Sequence, residues 1–301
     1  MEWRQIEAFY SLVRLGSMTR AAEAQYRTQP ALSQQISRLE EELGCLLLER
    51  IGKKGFTLTP AGEEFYRFSE NMLYQKKHFL ERIQEISGNS IGTITVAAPL
   101  IVLLFLFPGP VRKYINLYPN VNIHIIEKSP QECLDLLKRG EIDFGFIHGS
   151  TVPKTLNSYE WITGRFKVAV PKGHELCNES PITLERLSHY PINIVPKNLK
   201  LSARDRLDKK FDELGISYNI GLESPSSLLN LKYASFGFGV TFLMCYGDIL
   251  DNFFKDELVF IDMNHIFPDD VLSIVCKANL NVNEPKIKFL EVFLSEYNKE
   301  Y

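Results

Sequence analysis

Five polar side chains near the N-terminus carry the clearest chemical signal in this sequence. Gln34, Ser37, Arg38 and Glu41 recur on one side of the segment from Pro30 to Leu43, with Ser33 on the flank. Leu32, Ile36, Leu39 and Leu43 recur on the other side at i, i+4, i+7 and i+11. That is the period of an amphipathic helix. A helix face turned only to water more often carries Lys and Glu in i, i+4 pairs. Here the leading positions hold Gln and Ser, compact groups that both donate and accept hydrogen bonds, and a guanidinium follows one turn later. Such a set suits base edges and phosphates in a DNA major groove. An ordinary amphipathic helix with incidental polar residues is the plainer alternative for this segment taken alone.

A second cluster follows directly. Residues 46–59 form two short extended stretches around Gly52-Lys53-Lys54-Gly55, the pattern of a small hairpin or wing, and Arg50, Lys53 and Lys54 gather three positive charges there. Residues 1–90 carry 12 basic and 12 acidic side chains, so any attraction for phosphate must come from this local patch. Glu40, Glu41 and Glu42 sit apart from it, near the far end of the helix. Affinity from such a patch is modest and weakens with salt. The net charge of -3 excludes a protein that holds polyanions by bulk charge.

Other chemistry is sparse. The chain has no H-E-x-x-H, P-loop, G-x-S-x-G or EF-hand pattern, so no catalytic or metal-ligating residue is expected. Gly237-Phe238-Gly239 lacks the third glycine of a dinucleotide loop. Cys45, Cys133, Cys177, Cys245 and Cys276 are odd in number and far apart, which reads as buried thiols rather than a disulfide framework. His148, at a predicted strand end, could meet a ligand or serve structure alone. Ser129 already has a sufficient task as a helix cap.

The elements that position these residues follow from periodicity. Trp3, Ile6, Phe9, Tyr10 and Val13 share a face of a first helix that Gly16 can close, and Ser17 or Thr19 can cap a short second helix, Arg20 to Ala24. Pro30 sits in the first turn of the third. Pro60 opens a helix reaching Ser87, with Thr59 as cap and Gly88 beyond its end. At 1.5 Å per residue it is roughly 42 Å long. Phe65, Phe68, Met72, Phe79 and Ile86 lie on a heptad frame, which points to a partner helix, with packing on its own domain as the alternative.

Beyond Gly88 the period alternates. Strands are expected at 93–97, 121–127, 142–148, 167–170, 192–195, 218–222, 240–243 and 271–277, and helices at 111–117, 129–139, 202–214, 226–236 and 284–297. Ser129-Pro130-Gln131-Glu132 fits a capping box and Gly140 a helix stop. These read as two α/β lobes with parallel sheets and a cleft between them, with Trp161 and Gly164 near a crossover. The 45% apolar composition is globular, and the longest apolar run, Val96 to Phe107, is broken by Pro99 and too short for a bilayer span. With a charged N-terminal helix in place of a signal peptide, a cytoplasmic location is expected.

With these pieces in place, the chain resembles the LysR-type transcriptional regulators. The residues that carry the resemblance are Phe9, Gly16-Ser17-Met18-Thr19-Arg20-Ala21-Ala22, Thr28 through Glu40, Leu43-Gly44, Leu48-Glu49-Arg50 and Leu58 through Gly62. Tyr118-Pro119, Gly140-Glu141-Ile142-Asp143 and Gly237 through Val240 add weaker support. The resemblance implies an N-terminal all-α winged helix-turn-helix domain (1–59), a dimerising linker helix (60–88), and a two-lobed α/β effector domain of the periplasmic-binding-protein type (91–301). Its first lobe would take about 91–163 and 266–301, its second about 164–265. By the same resemblance Gln29, Pro30, Ser33, Gln34 and Arg38 would contact double-stranded promoter DNA from the recognition helix, and Arg50 and Lys53 from the wing. A small-molecule effector, rather than a bound cofactor, would lie among Ala98, Pro99, Leu100, Ser129, His148, Pro196 and Ser226. A homotetramer of linker-helix dimers and a contact with RNA polymerase are further implied partners. Many members hold a carboxylate with Ser or Thr in the first cleft loop; Pro99 and Leu100 stand there instead, so a less anionic or more apolar effector is expected. A solute-binding module or enzyme on the same scaffold, with an N-terminal dimerisation domain, is the alternative.

Overall fold

In the computed structural model, residues 1–51, 55–86, 92–179, 181–199, 203–278 and 284–297 are described. The chain divides into two units, 1–90 and 91–301.

The first unit begins with α1 (Trp3–Leu15), α2 (Met18–Ala24) and α3 (Gln29–Leu43). Gly16 and Gly44 close α1 and α3 at positive φ, where a Cβ is disfavoured, and Ser17 Oγ accepts the Arg20 amide to cap α2. Ile6, Phe9, Leu12, Ala21, Leu32, Ile36 and Leu39 form the core. The apolar face of α1 is centred one step from the expected one: Trp3 is 44% exposed, under the Lys76 ammonium 5.1 Å from its ring centroid. β1 (Leu48–Ile51) and β2 (Gly55–Leu58) pair antiparallel as a wing. α4 (Pro60–Ile86) follows, and Thr59 starts it, its hydroxyl accepting the Gly62 amide at 2.9 Å and donating to the Leu46 carbonyl at 2.7 Å. Phe65 packs edge-on against Phe9 at 5.1 Å. At Gly62 the helix touches the chain behind it, since a Cβ there would lie 2.0 Å from the Leu47 carbonyl oxygen.

The second unit runs β3 (Thr93–Ala98), α5 (Leu100–Phe105), α6 (Pro108–Leu117), β4 (Asn122–Glu127), α7 (Pro130–Arg139) and β5 (Phe144–His148). The chain then crosses on β6 (Leu156–Pro171) and continues with α8 (Leu184–Leu187), β7 (Ile192–Ile194), α9 (Ala203–Leu214), β8 (Ile220–Glu223), α10 (Ser227–Ser235), β9 (Val240–Tyr246), α11 (Ile249–Phe253) and β10 (Leu258–Asp262). It returns on β11 (Asp270–Lys277) and ends in α12 (Glu284–Tyr297). The sheet order is β4-β3-β5-β11-β6-β9-β7-β8, with β10 on β6.

The expectation of parallel sheets needs correction. β3 pairs parallel with β4 and β5, and β7 with β8 and β9, but β6 and β11 run antiparallel to each other and to the strands beside them. Each lobe is therefore a parallel βα unit, and the two are joined by one antiparallel pair. The expected strand at 167–170 is only the tail of β6, which spans both lobes. At Gly164 the ladder passes from Asp270 on β11 to Tyr246 on β9, and a Cβ there would meet the Met244 sulfur at 2.6 Å. Trp161 lies on this crossing strand, as expected, and is part of the core: its indole donates to the Phe293 carbonyl at 2.7 Å among Phe107, Phe146 and Phe293. Lys286 on α12 is buried against Asp143 at 2.9 Å, and the same carboxylate accepts the Thr95 amide at 2.8 Å.

The apolar run after Pro99 is helical, so Leu100 begins α5 rather than lying in a loop. Among the cysteines, Cys133, Cys245 and Cys276 are buried and Cys177 partly so, but Cys45 is exposed just past the end of α3, against the expectation of buried thiols. No helix among the described residues is long and apolar enough to cross a membrane.

Candidate functional sites: a nucleic-acid face and a cleft

The first site lies on α3. Leu32, Ile36 and Leu39 are buried, which turns Gln34, Ser37 and Arg38 to the outside; Gln29 and Pro30 at the start of the helix are exposed and Ser33 is half-buried. Leu43, the last member of the apolar stripe, is 40% exposed because the helix ends there at Gly44. The turn into α3 is fixed from both sides. Gln25 Nε2 donates to the Glu7 carbonyl at 2.8 Å, and Arg27 donates to Gln35 Oε1 at 2.5 Å. Between them Tyr26 is held at φ 55° and is exposed. Recognition-face groups on a clamped helix can enter a groove without first being ordered.

The wing is tied to the same helix by a contact that the sequence did not suggest. Glu40 is not simply one of three surface acids: its carboxylate accepts the backbone amides of Leu47 at 2.8 Å and Leu48 at 3.1 Å, fixing where β1 starts. Glu42 pairs with the N-terminal ammonium and Gln5. Arg50 belongs to β1, opposite Phe56; its side chain, and the whole of Lys53, fall outside the described residues.

The second site is a cleft of about 250 Å³ between the lobes of the second unit. Of the expected effector residues, Pro99, Leu100, Ser129, His148 and Ser226 line it. Ala98 and Pro196 do not: Ala98 is fully buried at the end of β3, and Val195 and Leu199 stand at the wall in place of Pro196. Strand ends and helix starts build the site, as expected for open α/β sheets. His148 ends β5, and Tyr246 ends β9 with its hydroxyl 3.4 Å from His148 Nδ1. Burial pushes the His148 imidazole down to about 4; nearby Asp270 opposes the shift and Arg206 adds to it. His148 is therefore neutral near pH 7. Burial also pushes the Tyr246 phenol up, so it stays protonated.

At the mouth, Ser129 caps α7 within the expected capping box. Its amide and hydroxyl both donate to Glu132 Oε2, at 3.0 and 2.8 Å, while Lys128 donates to Oε1 at 2.9 Å. The Lys128 hydrogen bond, followed by the Ser129 amide, holds the Glu132 carboxyl down at about 2. Ser226 caps α10, accepting the Leu229 amide at 3.4 Å. Several polar residues at the cleft were not among the expected effector residues: Glu127, Lys128, Glu132 and Ser227 at its rim helices and strand end, and Asn230 and Tyr246. Tyr246 could have been found from its place at a strand end. Asn230, within the apolar run of α10, left a weaker signal; its Nδ2 donates to the Ser224 carbonyl at 3.3 Å, and its buried Oδ1 has no partner among the described residues.

Comparison with known proteins bears on both sites. The family model described as bacterial regulatory helix-turn-helix protein, lysR family, matches residues 3–63, and the LysR substrate binding domain model matches residues 87–276. The HTH-type transcriptional regulator CysB of Haemophilus influenzae is 26% identical over 97% of this chain and 90% of its own length. The HTH-type transcriptional regulator SsuR of Burkholderia cenocepacia is 24% identical over 99% of this chain and 96% of its own. Among solved structures, full-length CbnR complexed with its target DNA superposes with a TM-score of 0.60 at 20% identity, covering 98% of each chain, a likeness of fold.

Proposed function

The chain belongs to the LysR family of transcriptional regulators, and from that premise we propose which of its residues read DNA and which meet the effector. It is a DNA-binding regulator with an effector-binding domain, and its relatives are named as regulators rather than enzymes, which sets aside the solute-binding or enzymatic alternative. Gln34 and Ser33 read base edges from α3, Gln29 and Pro30 lie against the groove at its N-terminus, and Arg38, Arg50 and Lys53 hold phosphates. The observation that carries this assignment is the exposure of Gln34 and Arg38 opposite the buried Leu32, Ile36 and Leu39.

The effector occupies the cleft beside Pro99, Leu100, Ser129, His148 and Ser226, and its binding changes how the protein holds promoter DNA. Phe68, Phe79, Leu80 and Ile83 leave apolar area uncovered on α4, which supports a homodimer through that helix. A tetramer of two such dimers, and a contact with RNA polymerase, extend the proposal.

Fluorescence anisotropy with the chain's own upstream DNA and a random duplex tests the assignment. Arg38→Ala should weaken both duplexes alike and reduce the slope of log affinity against log salt by about 0.9, whereas Gln34→Ala should mainly narrow the preference between them. Equal loss on both duplexes for both variants would contradict the division of labour.

A further inference from the structure

The stop of α2 is built on a residue that its geometry disfavours. α1, α3 and α7 each end at a glycine, Gly16, Gly44 and Gly140, with φ of 62°, 70° and 69°. α2 ends in the same left-handed conformation, but Tyr26 adopts it, at φ 55°. The Tyr26 amide donates to the Glu23 carbonyl at 3.0 Å and the Arg27 amide to the Ala22 carbonyl at 2.9 Å, the two bonds of a Schellman stop. Among the described residues every other positive φ belongs to a glycine. A Cβ disfavours this conformation, so tyrosine weakens the turn relative to glycine.

The ring adds nothing to the core that would offset this. Tyr26 is 98% exposed, and among the described residues its hydroxyl has no hydrogen-bond partner and its ring no aromatic or cationic neighbour. Its neighbours nevertheless fix where it stands: Gln25 Nε2 donates to the Glu7 carbonyl at 2.8 Å and Arg27 to Gln35 Oε1 at 2.5 Å. Disfavoured backbone that the surroundings hold in place is a mark of function.

The position of the ring says which function. Three residues separate Tyr26 from Gln29, so their Cα atoms lie within roughly 11 Å of each other. Gln29, Pro30 and Ala31 are exposed at the start of α3, and Thr28 leaves that end without a side-chain cap. A major groove is about 12 Å wide. A helix whose first residues enter it brings the residue just ahead of them to the sugar–phosphate strand at the groove's edge. A tyrosine hydroxyl at that edge donates to a phosphate oxygen.

We propose that Tyr26 contacts DNA, its hydroxyl donating to a backbone phosphate beside the groove that α3 enters. This adds an uncharged anchor to Arg38, Arg50 and Lys53, and it rests on α3 being the groove-reading helix.

Fluorescence anisotropy of the full chain with its upstream DNA and with a random duplex tests it. Tyr26→Phe removes only the hydroxyl. It should weaken binding to both duplexes by one factor, at least about tenfold, the worth of a hydrogen bond to a charged group. The slope of log affinity against log salt should stay at its parent value, because a hydroxyl releases no counterions, whereas Arg38→Ala lowers it by about 0.9. Tyr26→Gly should weaken binding at least as much while raising the urea midpoint of the N-terminal unit, since glycine suits the conformation and the ring packs on nothing. A purely structural tyrosine would move stability and affinity together. Tyr26→Phe binding within about twofold of the parent chain overturns the proposal. A Tyr26→Gly midpoint below the parent's does so as well, by giving the ring a task in the fold. A loss confined to the upstream duplex also overturns it, since a phosphate contact carries no sequence information. Two controls separate this proposal from the reading it rests on. If Arg38→Ala weakens binding and Tyr26→Phe does not, only the tyrosine contact fails. If Arg38→Ala and Gln34→Ala are silent and Tyr26→Phe is not, the assignment of α3 fails and the tyrosine contact stands.

Discussion

Gly62→Ala opposes two effects of known size. Replacing glycine by alanine inside a helix normally stabilises it by about 1 kcal/mol, so a helix in free space would gain. At Gly62 the new methyl group would sit 2.0 Å from the Leu47 carbonyl oxygen and 3.0 Å from its carbon. To reach even a tight contact of 3.0 Å, the oxygen or the helix must retreat by 1 Å. The obstacle is backbone and cannot rotate aside. The Leu47 side chain is buried, its amide is bound by Glu40 at 2.8 Å, and its carbonyl accepts the Thr59 amide at 3.0 Å. Overpacking of this kind costs about 1–3 kcal/mol, and loss of the Thr59 hydrogen bond adds about 1 kcal/mol. The expected net effect is a destabilisation of the N-terminal unit by about 2 kcal/mol, a fall in its Tm of about 10 °C. Urea denaturation followed by hydrogen exchange within the N-terminal unit would measure it, with the stability of the C-terminal unit unchanged. A gain of about 1 kcal/mol, the outcome that helix propensity alone predicts, would show that α4 does not rest on Leu47 as described.

Other outcomes follow from the same structure. Lys286→Met leaves the Asp143 carboxylate buried without its cation, and should cost the C-terminal unit about 3–5 kcal/mol in urea denaturation. His148 is held down at about 4 in the fold against about 6.5 when unfolded, so the unfolded chain takes up the proton first as pH falls. Its contribution is complete above pH 6.5 and lost as pH drops from there to 4, by about 3 kcal/mol; a His148→Gln variant whose stability falls as steeply over that range would refute the assignment. Phe79→Asp puts charge on an exposed apolar position of α4 and should shift the protein from dimer to monomer in sedimentation. An unchanged mass would place the dimer contact elsewhere.

The helix-turn-helix was legible because local rules act within it. The stripe of Leu32, Ile36 and Leu39, the stop at Gly44 and the cap at Ser17 are each decided within a few residues. The Ser129 and Glu132 box was legible for the same reason. Long-range pairings were not. Residues 156–166 carry polar side chains that hide a strand, because β6 owes its existence to β11 and β9, which follow about 70 residues or more later in the chain. The helix α5 was hidden by an apolar run too uniform to show a period. In the cleft, strand ends such as His148 could be read from topology, whereas Asn230 became visible only once Ser224 was seen to fix its amide.

The antiparallel pair β6 and β11 constrains how the two halves of the effector domain respond to what they hold. Because these strands belong to one continuous ladder, the halves cannot swing apart on slack loops; relative rotation must twist a hydrogen-bonded ribbon. A twisted ribbon resists in proportion to the angle, as a torsion spring does. Any change in the angle between the halves therefore works against this shared ribbon of backbone hydrogen bonds.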